Sequence, residues 1–408
     1  MVHEYANEIT NRAGVPIEIR RIVVRDLDKS RHALAAAELF STEPDDVVGA
    51  GDIDVVVELM GGVEQAGAYI RKALANGKHV ITANKELLSV HGAELLRIAS
   101  AAGLDLRFEG AVGGGIPIIR PLQDSLAGER ITRVIGIVNG TTNYILTKMT
   151  DHGYDLDVAL SEAQALGFAE SDPSADIQGA DAAAKLSILA TIAFDTSVKG
   201  SDVYRQGIVG VGPRELQLAA SLGYVIKLLA IAEAMDGRLS VKVHPTMVPE
   251  THPLAAVRDN LNAVFVEGKE AGELMFYGRG AGGPPTAVAV LGDLVSIARD
   301  IISGRPAPGW SVNDSGTELV PIDETTSQYF ILLEVVDRRG VLAQVAGVFA
   351  DHDVSIKSVW QEGFGDEATL VLVTHRASER DFQRMLKDLS ALEVVEEVAS
   401  WMRVLGEG

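Results

Sequence analysis

Apolar positions in the first third of the chain fall into short blocks separated by longer stretches of helical spacing. IEIRRIVVR (17–25), IDVVVEL (53–59), KHVIT (78–82) and LDLRFEG (104–110) read as strands, and residues 31–40, 63–76 and 86–102 read as helices. Short apolar strands alternating with helices predict a parallel α/β sheet. From 117 to 283 the periods mix, with strands near 131–139 and 239–244 and helices near 156–166, 180–195 and 214–222, which predicts an α+β domain. A helix over about 285–303 is expected to return to the first domain, and the Gly and Pro of SGRPAPGW mark a linker. From Tyr329 the order strand, helix, strand, strand, helix, strand is a ferredoxin-like pattern. The expected domains are therefore 1–116 with 285–303, 117–283 and, after a linker over 304–326, 327–408.

One helix stands apart. GFAESDPSADIQGADAAAKLSILA (167–190) sets carboxylates before a helix that should start near Gly179 and run past Ile192. At about 100° per residue Lys185 falls on the side of Ile188, Leu189 and Ile192. Asp181 lies one turn earlier, where a carboxylate reaches an ammonium. Desolvation weakens the lysine's hold on its proton and the carboxylate restores it, a balance suited to proton transfer. The alternative is a structural ion pair whose lysine stem snorkels to water.

Composition narrows the classes. With 408 residues, 47% of them hydrophobic, the chain can build two or three cores, and its formal charge of -21 argues against nucleic-acid and anionic membrane partners. There is no cysteine, which excludes disulfides, thiolate nucleophiles and Cys-ligated metals. No apolar run reaches about 18 residues and no signal peptide opens the chain, so a cytoplasmic location is expected.

Further motifs sit at turns. ELMGG (58–62) ends a strand and opens a helix after two glycines, where a doubly wound sheet lets a ligand approach backbone, although a plain tight turn has the same signature. ITANK (81–85) puts Asn84 and Lys85 on the same rim. EGAVGGGIP (109–117) suits either an interdomain hinge or a cation cage in which Glu109 supplies charge and backbone carbonyls the remaining oxygens. VNGTTNYIL (138–146) offers Thr142 or Asn143 as a helix N-cap. GRGAGG (278–283) satisfies G-x-G-x-x-G literally, but no βαβ unit follows it; Pro284 and Pro285 suit a helix start instead. A dinucleotide-binding sheet should begin with a strand and a glycine-rich turn, yet MVHEYANEITNRA (1–13) reads as the tail of the following helix, so we expect the recorded chain to begin late.

Taken together, ELMGG, ITANK, EGAVGGGIP, VNGTTNYIL, the 167–190 segment and GAGGPPTA resemble long-type homoserine dehydrogenase over about residues 1–303. VVDRRGVLAQVAGVFADHDVSIKSV resembles the ACT domain, a small amino-acid-sensing module. The resemblance implies a Rossmann-like domain, an α+β substrate and dimerisation domain, and reversible NADP- or NAD-dependent interconversion of L-homoserine and L-aspartate 4-semialdehyde. It implies Lys185 as proton donor and acceptor, Asp181 as the carboxylate that positions substrate and lysine, and Glu170 as the partner of the substrate's amino group. Lys85 matches a lysine near cofactor and substrate, and Gly167 and Gly282 match glycines against the nicotinamide. Glu109 with the carbonyls of Val112, Gly114 and Ile116 matches a structural site for a monovalent cation such as Na+. Phe168 stands where some relatives carry tyrosine. Arg25, with Lys29 and Arg31 nearby, favours the 2′-phosphate of NADP, while the adjacent Asp26 keeps NAD open. Asp337 and Gly340 lie where ACT domains bind an amino acid, threonine being the family's effector, and a homodimer or homotetramer is expected. The competing expectation is a non-catalytic amino-acid sensor.

Overall fold

The computed structural model describes residues 1–29, 36–305, 307, 312, 316–363 and 367–406. They form two compact units, the first comprising 1–131, 184–203 and 267–316 and the second 132–183, 204–266 and 317–408.

The first unit opens with α1 (Ala6–Ala13), which Gly14 ends in the left-handed region at φ 82°. β1 (Ile22–Val23) pairs in parallel with β2 (Phe40–Ser41). The strand expected over 17–25 is thus only two residues long; Arg20 within it is exposed and paired with Asp52 at 3.2 Å. Arg31 and residues 31–35 of the expected helix lie outside the described residues, and 37–39 form only a 3-10 turn. After α2 (Asp45–Val48) come β3 (Val55–Glu58), α3 (Glu64–Ala75), β4 (His79–Thr82), α4 (Lys85–Ala101) and β5 (Leu106–Arg107). β3, β4 and β5 make a parallel sheet in that order, with Val56 opposite Val80 and Val80 opposite Leu106. Ala66, Ile70, Ala73 and Leu74 of α3 are buried at the i, i+4, i+7, i+8 spacing of one helix face. Burial of a side chain such as Ile70 or Leu74 stabilises by about 1.5–3 kcal/mol.

The second unit begins with β6 (Ile131–Ile137), α5 (Gly140–His152), α6 (Leu156–Ala165) and α7 (Ser174–Ile177). α8 (Ala180–Ala193) follows, belonging to this unit up to Ala183 and to the first from Ala184 on, and it matches the extent expected for the lysine helix. Beyond it lie β7 (Tyr204–Arg205), α9 (Pro213–Ser221), β8 (Tyr224–Met235), β9 (Arg238–Pro249) and β10 (Leu261–Gly268). β8 and β9 form a hairpin in unbroken register from Tyr224↔Pro249 to Met235↔Arg238. Its turn is Asp236–Gly237, at φ 50° and 80°, the paired positive values that suit a two-residue hairpin loop.

The chain then returns to the first unit as β11 (Gly272–Arg279) and α10 (Gly283–Ser303), whose Val290 and Ile297 pack on Ile81 of β4. The second unit closes with β12 (Thr326–Val336), α11 (Val341–Asp351), β13 (Ile356–Gly363), β14 (Glu367–Thr374), β15 (Ala377–Ser378), α12 (Glu379–Leu389) and β16 (Val395–Val404). Tyr329, Ile331, Leu333 and Val335 alternate along β12 into a core completed by Phe382, Met385 and Leu389 of α12. This is the expected ferredoxin-like order, with the short β15 added. The end of β16 pairs in parallel with β9 through Arg403↔Thr246 and Val404↔Met247. The strand order within this unit is β10-β6-β8-β9-β16-β12-β14-β13.

Candidate active site

In the first unit a cavity of about 1090 Å³ opens at the carboxyl ends of β3 and β4. Gly61, Gly62, Asn84 and Lys85 line it from the sheet side, and Gly282, Gly283 and Thr286 line it from the start of α10. A buried carboxylate shapes the rim. Glu58 accepts from the Met60 and Gly61 amides at 2.7 and 3.2 Å and from Thr82 Oγ1 at 2.6 Å. Asn84 donates to the Gly62 carbonyl at 2.7 Å and caps α4 by accepting from the Leu87 amide at 3.0 Å. Gly61 and Gly62 both stand at φ 75°, a conformation that a β-carbon would strain. Two βα turns are therefore fixed to each other by side chains, and backbone is left lining the cavity. Neither Glu58 nor Thr82 stands out from the sequence alone; the acid three residues ahead of the double glycine is the available signal. Lys85 and Gly282 line this cavity, whereas Arg25 is exposed after β1 and is not among its lining residues.

The loop after β5 contains a second buried carboxylate. Glu109, 2% exposed, accepts from the amides of Ile118, Ile119 and Arg120 at 2.6–2.9 Å and from Arg120 Nε at 3.3 Å. Its own amide donates to Asp293 of α10 at 2.9 Å, and burial pushes the Asp293 carboxyl up to about 7. The Glu109 carboxylate is thus met from the turn that follows it, by the amides and guanidinium of residues 118–120. The glycines answer to packing: a β-carbon on Gly114 would stand 2.7 Å from the Gly280 backbone, and Gly115 donates to the Arg279 carbonyl at 3.1 Å. Among the described residues no group of three or more His, Cys, Asp or Glu is placed to hold a metal ion, so a cation here would depend on carbonyls such as those of Val112, Gly114 and Ile116.

In the second unit Asn139 organises the acidic segment. Its Oδ1 accepts from the Thr142 amide at 2.8 Å, making Asn139 the N-cap of α5 in place of the expected Thr142 or Asn143. Its Nδ2 donates to Asp176 at 2.7 Å and to Asp181 at 2.8 Å. One side-chain amide thus caps the start of α5 and joins a carboxylate of α7 to one of α8. Asp181 and Lys185 lie one turn apart on α8 and are both 8% exposed. Lys185 shares the helix with Ile188, Leu189 and Ile192, all buried. Before α7, Gly167 turns at φ 75°, and Thr141 donates to the Phe168 carbonyl at 2.6 Å. The Phe168 ring meets Tyr144 edge-on at 5.0 Å. Burial and the Glu162 carboxylate push the Tyr144 phenol up to about 12, so it remains a donor, to Glu162 at 2.6 Å. The Glu170 side chain is exposed, while its carbonyl accepts from Gln164 at 3.0 Å.

Comparison with known proteins gives this geometry its family. A family model described as homoserine dehydrogenase matches residues 117–295, one described as its NAD binding domain matches 3–109, and an ACT domain model matches 329–394. The homoserine dehydrogenase of Corynebacterium glutamicum is 45% identical, with 99% of this chain and 92% of that protein covered. The chain belongs to the homoserine dehydrogenase family. The Bacillus subtilis homoserine dehydrogenase is 41% identical over 100% of this chain and 95% of its own length. A crystal structure of a homoserine dehydrogenase from Thiobacillus denitrificans superposes with a TM-score of 0.94 at 40% identity, covering 100% of this chain and 94% of that one.

Homoserine dehydrogenase is an NAD(P)-dependent oxidoreductase that interconverts L-homoserine and L-aspartate 4-semialdehyde in threonine, methionine and isoleucine biosynthesis. The chain is a catalytic enzyme, and the expectation of a non-catalytic sensor is overturned by full-length likeness to homoserine dehydrogenases. Its Rossmann-like domain and ACT domain agree with the fold expected from the sequence.

Proposed function

We propose that Lys185 is the proton carrier of the dehydrogenase reaction, giving a proton to the aldehyde oxygen in reduction and taking it from the alcohol in oxidation. The observation that carries this reading is a buried ammonium one helical turn from a buried carboxylate, Asp181, which Asn139 holds in place. The nicotinamide, when bound, supplies or accepts the hydride. An ammonium beside the substrate oxygen opposes the negative charge that grows there. Asp181 positions Lys185 and the substrate. Glu170 meets the substrate's ammonium, a pairing favoured by simple charge attraction. Lys85 and Gly282 hold the cofactor in the glycine-lined cavity, and Arg25 favours the 2′-phosphate of NADP; Gly167 is the glycine whose backbone the nicotinamide meets. One solved relative, a hyperthermophilic archaeal homoserine dehydrogenase in complex with NADPH, is 30% identical with a TM-score of 0.54, covering 64% of this chain and 76% of that one.

Glu109, with the carbonyls of Val112, Gly114 and Ile116, forms a structural monovalent-cation site that takes no part in hydride transfer. Threonine binds near Asp337 and Gly340 and lowers activity, and the enzyme works in the cytoplasm as a homodimer or homotetramer. The test of the central assignment is Lys185→Ala in the full chain. The expected result is a loss of kcat of about 10²–10⁴-fold, the range for general acid–base catalysis, with NADPH affinity and thermal stability nearly unchanged. A variant that turned over at near-normal rate would refute it.

A further inference from the structure

Within the second unit, the turn between α7 and α8 carries Asp176 and leads into Asp181, and residues from elsewhere in the chain close it. α7 ends at Ile177, whose carbonyl is one of the acceptors that a helix end leaves without an intrahelical donor. The amide of Ile208, a fully buried residue just after β7, supplies a donor at 2.8 Å. Beside it, a β-carbon on Gly207 would stand 2.1 Å from the Ile177 carbonyl oxygen and 2.6 Å from the Gln178 α-carbon. No larger residue fits without moving that turn. Gly179, at φ 81°, lies on the same packing: a β-carbon there would come 3.7 Å from the Gln206 carbonyl and 3.3 Å from the Val243 side chain. α8 starts one residue later, and Asp181 is in its first turn. Residues 206–208 therefore pack on the backbone from which Asp176 and Asp181 meet Asn139.

The same segment is gripped from the far end of the chain. β7 lies beside β9, and the Gln206 amide donates to the Val243 carbonyl at 2.8 Å. Arg403 of β16, only 2% exposed, donates to Gln206 Oε1 at 3.2 Å and holds its guanidinium carbon 5.3 Å from the centre of the Tyr204 ring. Behind it Glu379, the first residue of α12, accepts from Arg403 Nε and Nη2 at 2.9 and 2.7 Å and from the Tyr329 hydroxyl at 2.8 Å. A planar guanidinium bound by two parallel contacts is fixed in orientation as well as place. One side chain of the C-terminal ferredoxin-like module thus reaches the segment that packs on the acidic turn.

We propose that residues 206–208 are positioning residues for the dehydrogenase reaction, bracing the turn from which Asp176 and Asp181 act, and that Arg403 fixes where this brace sits. This rests on the role proposed above for Asp181 and extends the support of that acid to the last strand of the chain.

The experiment uses the full-length enzyme, with kcat and homoserine KM measured beside NADPH titrations and melting curves. Gly207→Ala pushes the turn aside and should lower kcat/KM for homoserine about 100-fold, the effect of a displacement of about 1 Å, with NADPH affinity within about twofold of normal. A glycine with a structural role alone would lower the melting temperature and leave kcat and KM per folded molecule unchanged, and that result overturns the brace. Gln206 is exposed, so Gln206→Leu removes the Arg403 acceptor with little risk to folding. It should lower kcat/KM about three- to tenfold, whereas Gln206→Glu, which keeps an acceptor, should stay within about twofold of the unaltered enzyme. Unchanged kinetics in Gln206→Leu, or equal losses in both variants, overturn the role of Arg403. If Gly207→Ala does not fold, the Gln206 pair decides. Lys185→Ala separates the brace from the reading beneath it. Turnover lost there but unchanged in Gly207→Ala and Gln206→Leu sinks the brace alone; near-normal turnover there refutes the proton carrier, and kinetic losses in the other two would still place the turn at the reaction.

Discussion

Glu109 and Asp181 are both buried carboxylates, yet they are satisfied in different ways. Glu109 takes three backbone amides and the Arg120 guanidinium, all within its own loop. Asp181 is held by the side-chain amide of Asn139, which also binds Asp176 and caps α5. A carboxylate closed off by main chain is a fastening, whereas one held by another side chain can be oriented without fixing the surrounding backbone. Burial alone therefore does not mark a functional acid; the kind of donor that meets it is the difference on which the role proposed for Asp181 rests.

The largest effect is expected from Glu109→Ala, which leaves three amides and Arg120 without their acceptor and should lower stability by about 3–5 kcal/mol. Denaturant unfolding would measure it, and kcat per folded molecule should remain near normal. A large fall in kcat without a loss of stability would put Glu109 in the functional class and break the contrast.

Lys227 sharpens the contrast from the side of the cations. It is 2% exposed and is met only by neutral oxygens, the Asn143 side chain at 3.0 Å and the Val257 carbonyl, among its described hydrogen bonds. Burial, helped by Arg258, pushes it down from 10.5 to about 8. Between those values the unfolded chain holds a proton that the native state has released, so this group's contribution to stability increases as pH rises from about 8 to 10.5. Over that window linkage gives about 3 kcal/mol, and the penalty is fully present at and below neutral pH. Comparing unfolding free energies of the enzyme and of Lys227→Met across the window should show that slope only in the former.

The smallest stability effect belongs to Asn139→Ala. Loss of the cap should cost about 1 kcal/mol, while freeing Asp181 should lower kcat by about tenfold with little change in NADPH affinity. Steady-state kinetics beside a melting curve would test it. Stability falling further than activity would make Asn139 a fastening like the Glu109 loop.

The sequence carried the lysine helix and the ferredoxin-like order well because both rest on local periodicity. The span of α8 matched its apolar spacing, and the alternation along β12 was plain. Non-local partners were not legible. Thr142 and Asn143 looked like caps because both suit one, but Asn139 is held by Asp176 and Asp181, some forty residues away. The donors that meet the Glu109 carboxylate were equally hidden, because nothing in EGAVGGGIP shows that the next turn folds its amides back onto it. β8 passed unread, although the Asp236–Gly237 pair between two apolar runs was a local hairpin signal. At the other extreme, the strand over 17–25 was overcalled because its apolar residues are interleaved with arginines that face outward.

The two-pair junction of β16 with β9 has a consequence for cutting this protein. Removing the chain after about residue 325 would uncover β9 at Thr246 and Met247, beyond the Lys242–Val243 stretch that β7 covers, and leave those main-chain groups as an open template for other chains. A shortened enzyme intended to escape feedback control should therefore be stickier as well as less regulated, clumping on warming even where its substrate residues are untouched. Capping the bared strand with a lysine or proline would be the remedy, and the ACT domain would be acting as a lid on a sheet edge as much as a sensor.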